Sequence, residues 1–414
     1  MLLKRPYCNL VWNGIRMLLL ITFVLSANCT CAQTVIDIRG SVYGGARQAD
    51  VGGCTHVNIG ADYHDVLIGS VYGGNDISGI IGTSSDEEYD AVVKISPEPR
   101  GTASDPTTQT HHIFIGNVFG GGNGDYDYTN EAYSGMEAPV LGKAYLELKG
   151  GTVAYVYGGG NNATVTVKTD ISIDNESHVT TAIPTGSTGT ENILSDNSRL
   201  ESMGIAALGS NALRDTYHYS RVFGGNNKAE MKIMPTWHLN KGKIENLYSG
   251  GNAGKMTCPV GLLLEIDPQG TVEDKQKLVI NNVYGGCRKA DVDPGTTVTN
   301  AAFNAYLDNI TPGHKAYKFP DKFSARLLVR GGNVNNVYGG NDITGNVKGG
   351  NAVGVYTSIS GCIYGGGNGS YPYTDNEDLK SSLTYGDYYY GDFMTENGYT
   401  SSVKALNAFR PNAE

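Results

Sequence analysis

The sequence predicts an all-β chain built as a parallel β-helix (β-solenoid) of about nine or more coils with loop insertions, on three observations. A short box, an apolar residue followed by an aromatic and glycines, recurs nine times. The closest boxes stand 25, 26 and 29 residues apart, which suits one solenoid layer each. Glycine supplies 57 of 414 residues, about twice its usual share of about 7%. It costs about 1 kcal/mol per helical position relative to alanine, so short strands and tight turns are favoured over helices. A hydrophobic content of 40% still fills a core, which argues against global disorder.

The first element is a signal peptide over residues 1–32. Lys4, Arg5 and Arg16 make a cationic start, and Met17–Ala27 is an apolar run of eleven residues. That run is shorter than the ~20 residues a membrane-spanning helix needs. Thr30-Cys31-Ala32 before Gln33 fits a cleavage site, with an uncleaved anchor as the alternative. Lipidation at Cys29 is disfavoured by Asn28 before it.

The β-helix domain then runs over 33–414. Its boxes begin at Val42, Val71, Val118, Val156, Val222, Leu247, Val283, Val337 and Ile363. Longer gaps between them suit a coil with a loop insertion, or two coils with a degenerate box. Insertions are expected at about 169–216, rich in Ser, Thr, Asn and Gly, and at 371–408, rich in Tyr, Asp, Ser and Gly.

One coil can be read in detail. Lys143–Gly151 alternates apolar and polar residues, as a half-buried strand should. Thr152–Tyr157 is a second strand after a Gly-Gly corner. Gly158–Gly160 makes a turn open to positive φ, and Asn161-Asn162 also tolerate it. Ala163–Lys168 reads as a third strand. Asparagine follows the glycines in seven copies: Asn75, Asn123, Asn161, Asn226, Asn252, Asn341 and Asn368. Stacked, they would form a ladder of side-chain amides. The aromatics would form a second column. Side chains alternate along a strand, so valine and aromatic take opposite faces, with valine assigned to the interior.

A longer repeat overlies the boxes. Val42–Val51 is echoed by Val283–Val292, Val71–Gly79 by Val337–Gly345, and Val118–Thr129 by Ile363–Thr374, in the same order. The chain thus reads as a unit of six coils and half of a second. Arg410–Glu414 falls where a further strand is expected to start, so a longer parent protein is expected.

The pattern G-G-T-V-x-x-V-Y-G-G-G-N-x-A-x-V at Gly150–Val165 resembles the glycine-rich repeats of large exported surface proteins of Gram-negative anaerobes. It is similar, more loosely, to the β-helix passengers of autotransporter adhesins and polymorphic outer-membrane proteins. The resemblance implies a cell-surface or outer-membrane location, extracellular exposure and an adhesin-like role.

The chemistry-bearing residues are sparse. A net charge of −10 without a basic stripe makes nucleic acid a poor partner. Cys54, Cys258, Cys287 and Cys362 have no zinc spacing and are expected as buried, unpaired residues. A carbohydrate lyase or hydrolase on this scaffold would need clustered carboxylates. The tightest polar cluster is Asp62, His64 and Asp65. Asp125 and Asp127 with Asp86, Glu87 and Glu88 are looser, and all of these read as solvated loops. Asp50 and Asp291 recur beside Arg47 and Arg288, which suggests structural ion pairs. Gly121–Asp125 sets its carboxylate one residue early for a calcium repeat, and Ser370 replaces it in the echo. His111 and His112, adjacent before a strand, point to opposite faces and do not suit a shared metal. No catalytic residue, cofactor or metal ligand is therefore assigned. The expected function is a non-enzymatic structural or adhesin-like surface protein with glycans or proteins as partners. A polysaccharide-active enzyme and a non-catalytic glycan-binding module remain the alternatives. Tyrosines suit either sugar stacking or packing along the solenoid.

Overall fold

The computed structural model describes residues 35–61, 64–82, 90–98, 111–127, 129, 137–177, 198–205, 217–369 and 412–413. Its strands are, in chain order, β1 (Ile36–Tyr43), β2 (Thr55–Ile59), β3 (Val66–Tyr72), β4 (Ala91–Ile95), β5 (Ile113–Phe119) and β6 (Lys143–Leu148). There follow β7 (Thr152–Tyr157), β8 (Lys168–Asp174), β9 (Tyr219–Phe223), β10 (Thr236–Tyr248), β11 (Leu262–Ile266) and β12 (Leu278–Tyr284). The last are β13 (Ala325–Val329), β14 (Asn333–Tyr338), β15 (Asn346–Val347), β16 (Asn351–Val355), β17 (Ile363–Tyr364) and β18 (Asn412–Ala413). Among the described residues three short helices, α1 (Ser198–Ser202), α2 (Val272–Gln276) and α3 (Asn300–Ile310), lie outside the strands.

Every strand pairing is parallel, and the chain is a β-solenoid. The front sheet runs β1-β3-β5-β7-β9-β10-β12-β14-β17, one strand for each of the nine boxes. The box aromatics pair in register throughout, Tyr43 with Tyr72, Tyr72 with Phe119, and so on to Tyr338 with Tyr364. The back of the coil is formed by β2-β4-β6-β8-β10, then separately by β11-β13-β16. The third side is only one or two residues wide. Val51, Ile81, Val140 and Val165 form one column of parallel bridges, and Met231, Met256, Val292 and Val347 another. Ala163–Lys168, expected as a strand, contributes just Val165 to this side. The chain remains in the coil through β8 to Asp174, so the insertion begins later than residue 169. Expectations for residues 1–32 and 371–408 lie outside the described residues.

Facing is settled by burial. Val71, Val118, Val156, Val222, Leu247, Val283 and Val337 fill the interior against back-sheet residues such as Val93, Leu146 and Leu327. Along β6 interior Ala144, Leu146 and Leu148 alternate with half-exposed Lys143, Tyr145 and Glu147.

The box glycines serve close approach. A Cβ on Gly73 would come within 2.3 Å of the Gly120 carbonyl oxygen, and one on Gly120 equally close to that of Gly158. Turns on successive coils thus stack backbone on backbone, with Gly73 donating to the Phe119 carbonyl at 3.0 Å and Gly120 to that of Tyr157 at 3.0 Å. The expected positive φ is absent from Gly158–Gly160 and from Asn161-Asn162. It occurs instead at the corner glycine Gly151, φ 81°.

Candidate functional site

Two columns run along the outer side of the front sheet. The box aromatics stack with ring centroids 4.6–4.9 Å apart and interplanar angles of 1–11°. Neighbouring rings screen each other, so Tyr157, Phe223 and Tyr248 are buried although they point away from the core. Only the last ring, Tyr364, is 46% exposed. Burial holds the phenols of Tyr72, Tyr157 and Tyr248 above their ordinary pKa.

The second column lies four residues after each aromatic and is an amide ladder. Asn123 donates to Asp76 at 2.9 Å, Asn161 to Asn123 at 2.9 Å, Asn227 to Asn161 at 2.8 Å and Asn252 to Asn227 at 2.7 Å. Arg288 Nη1 continues it to Asn252 at 3.1 Å, and Asn368 donates to Asp342 at 2.9 Å. Asn75, Asn226 and Asn341 are not rungs of it. They sit one residue earlier, fully buried, and their Oδ1 atoms accept from the amides of Ala46, Gly160 and Cys287 on the preceding coils. The asparagine stands three or four residues after the aromatic, and that one-position difference reverses its facing.

The acidic residues singled out above are mostly absorbed by the scaffold. Asp65 is 1% exposed, accepts from the His112 amide at 2.8 Å and lies 4.0 Å from His111 Nδ1. Its carboxyl pKa is raised by desolvation. Asp62, Asp86, Glu87 and Glu88 lie outside the described residues. Asp125 is paired with Lys228 at 2.8 Å, and Asp127 caps the Thr129 amide at 3.1 Å. The expected Arg47–Asp50 and Arg288–Asp291 ion pairs do not form. Instead Asp50 accepts from the Ile80 amide and Asp291 from the Asn346 amide, each at 2.8 Å, so the recurring acid joins successive coils. His112 is buried and its pKa falls to about 4 through desolvation and the neighbouring His111. Cys258 and Cys287 are buried and unpaired as expected, with burial pushing their thiols up to about 11 and about 12. Cys54 and Cys362, expected as buried, are exposed. Among the described residues no three His, Cys, Asp or Glu side chains group as metal ligands.

A concave site lies where the back sheet breaks. β10 pairs with β8 on one side, and β11 pairs with β13 on the other, but no ladder joins β10 to β11. The strand entries differ there: Met234-Pro235 precedes β10 and Cys258-Pro259 precedes β11. Proline supplies no backbone N–H for a ladder. The insertion carrying α3 roofs this gap. Thr299 caps α3 by accepting from the Ala302 amide at 3.2 Å. Phe303 and Leu307, one turn apart, are its buried side chains and pack with Leu263, Val298 and Leu328. Arg326 clamps the insertion from below. Its guanidinium lies 4.2 Å from the Phe303 ring centre and 5.3 Å from that of Phe319. Burial lowers its pKa to about 10.

Between roof and break lies a cleft of about 160 Å³. Met234, Trp237, Leu263, Leu307 and Ile310 give it apolar walls, and His238, Glu265, Thr311, His314 and Tyr317 its polar groups. Gly224 makes room for the indole, since a Cβ there would meet Trp237 at 2.7 Å. The polar groups are held by neighbours. His238 Nε2 lies 3.0 Å from Asp170, whose hydrogen bond raises the imidazole pKa. Glu265 accepts from Arg330 Nε at 2.5 Å and from the Tyr317 hydroxyl. His314 is fixed between Asp308 at 3.2 Å and the Lys315 carbonyl at 2.9 Å. The sequence reading missed this site. Thr299 followed by Phe303, Tyr306, Leu307 and Ile310 at helical spacing was the available signal.

No family model, curated protein or solved structure matches the chain. The site's chemistry must therefore be argued from its own atoms.

Proposed function

We propose that this chain is an exported, non-enzymatic surface protein of structural or adhesin-like type, in which the solenoid is a stiff rod displaying its insertions. The observation that carries the reading is the unbroken front sheet: nine strands in register, nine stacked rings and an amide ladder beside them. Such columns fix spacing and direction over many layers, which suits a spacer that presents loops at a distance. Asp65, from the tightest polar cluster that a hydrolytic mechanism could have used, is occupied in holding one coil to the next, as are Asp50 and Asp291. The apolar run at Met17–Ala27 supports export.

Two measurements test this together. Purified protein incubated with plant and host polysaccharides is expected to release no reducing or unsaturated ends, while retaining measurable adhesion to glycan-coated or cell surfaces. Antibody or protease accessibility on intact cells is expected to locate it outside. Turnover abolished by Asp65→Asn would replace this reading with the enzymatic one.

A further inference from the structure

We propose that the cleft between β10 and β11 is a saccharide-binding site that takes one neutral pyranose ring, as a free sugar or the end of a glycan. The ligand class follows from size and lining. An apolar cavity of about 150 Å³ holds one six-membered ring such as benzene, and this cleft offers about 160 Å³. The walls are mixed, however. Trp237, Leu307 and Ile310 provide an apolar side on which the C–H face of a sugar rests. The polar groups of the lining mark out hydroxyl positions. The Glu265 carboxylate spends one lone pair on Arg330 and one on Tyr317, and a carboxylate has about four acceptor sites. Thr311 both donates and accepts. His238 engages Asp170 through Nε2, leaving the Nδ1 edge as a further polar group.

Two competing classes fit less well. An apolar ring would strip water from Glu265, Thr311 and His238 without returning hydrogen bonds. A charged ligand of either sign would face a like charge, because Glu265 stands beside Arg330 and His238 is held by Asp170. A ring with one apolar face and several hydroxyls satisfies both kinds of wall.

The site gives the adhesive reading a ligand class, and the two fail separately: absence of sugar binding leaves a rod without this pocket, whereas turnover of polysaccharide would remove the non-enzymatic reading. The chain contains two tryptophans, Trp12 and Trp237, so Trp12→Phe leaves the cleft indole as the only one. The full chain with that change is titrated with methyl glucoside, methyl galactoside, methyl mannoside and N-acetylglucosamine, followed by indole fluorescence and calorimetry. At least one is expected to give a saturable signal below about 10 mM. Thr311→Phe, which fills the cleft, is expected to abolish it. His238→Ala, a change at a half-exposed side chain that leaves Asp170 paired with Lys168, is expected to weaken it about tenfold. Circular dichroism and the melting temperature confirm that each variant is folded. No saturable response to any of the four sugars, an equal response to benzyl alcohol, or unchanged sugar affinity in folded Thr311→Phe would overturn the assignment.

Discussion

At the residue scale the fold depends on which atoms are allowed between successive layers. Val156 is fully buried among Val118, Val222 and Leu146. An aspartate there buries an unpaired charge, so Val156→Asp is expected to destabilise by about 3–5 kcal/mol in urea unfolding. An unaffected midpoint would mean that the strand faces the other way. The glycines make a sharper test because they differ in what surrounds them. A Cβ on Gly159 would fall 1.8 Å from the Asn226 Oδ1 atom, which must stay to accept from Gly160 at 2.8 Å. Gly52 has nothing within 4 Å of the same position and no positive φ. Gly159→Ala is expected to cost roughly 2 kcal/mol or more, while Gly52→Ala stays within about 0.5 kcal/mol or slightly stabilises. Equal effects would show that glycine serves turn flexibility at both places. This distinction was beyond the sequence. Both residues sit in short glycine runs, and only the neighbouring coil, 66 residues further on for Gly160 and Asn226, separates them.

At the element scale the box recurs because an aromatic column can be extended layer by layer at the 4.7–4.9 Å strand spacing that parallel pairing imposes. The periodicity of nine boxes was therefore legible, as was the opposite facing of valine and aromatic, which follows from strand alternation, whereas burial was needed to place the valine inside. The amide ladder was legible only in kind. Its members are set by distance from the aromatic, so Asp76, Asn227 and Asp342 take rungs that the asparagine count assigned to Asn75, Asn226 and Asn341. The column also carries a pH dependence. Tyr43, Tyr72, Tyr157, Tyr248, Tyr284 and Tyr338 are all held above their ordinary pKa, chiefly by burial. Below pH ~10 folded and unfolded states both keep these protons, and stability is insensitive to them. Above it the unfolded chain ionises while the folded column does not, so the unfolded state binds fewer protons and stability falls as pH rises. The melting temperature is expected to hold to about pH 9.5 and then drop steeply. Tyr157→Phe, matching the phenylalanine already present at positions 119 and 223, is expected to lessen that slope by about one proton. An unchanged slope would place the Tyr157 hydroxyl in water.

At the scale of the whole molecule the solenoid is a one-dimensional stack, and its stability is close to a sum over neighbouring layers. The nine front strands are continuous, but the back is not. Between β10 and β11 the coupling rests on the front sheet, the shared strand β10 and the α3 insertion above the gap. None of this was legible beforehand, because the cleft joins Trp237 to residues of an insertion 70 or more positions later, and a box count says nothing of a missing ladder. The break has a local signature. The Leu262 amide donates to the Ser324 carbonyl at 2.7 Å and the Ile266 carbonyl accepts from Arg330 at 2.8 Å, so these residues turn their backbone towards β13. Leu264 lies between them in the same phase, and Leu263 and Glu265 by alternation turn theirs towards β10, where no ladder forms. In native-state hydrogen exchange the amides of Leu263 and Glu265 are expected to exchange roughly tenfold or more faster than those of Leu264 and Ile266. The same comparison within β6, which is paired on both sides by β4 and β8, is expected to show no alternation. Uniform protection across β11 would mean that the back sheet is continuous and that the cleft closes in solution, whereas slowed exchange at Leu263 and Glu265 on adding a bound sugar would tie the gap to its ligand.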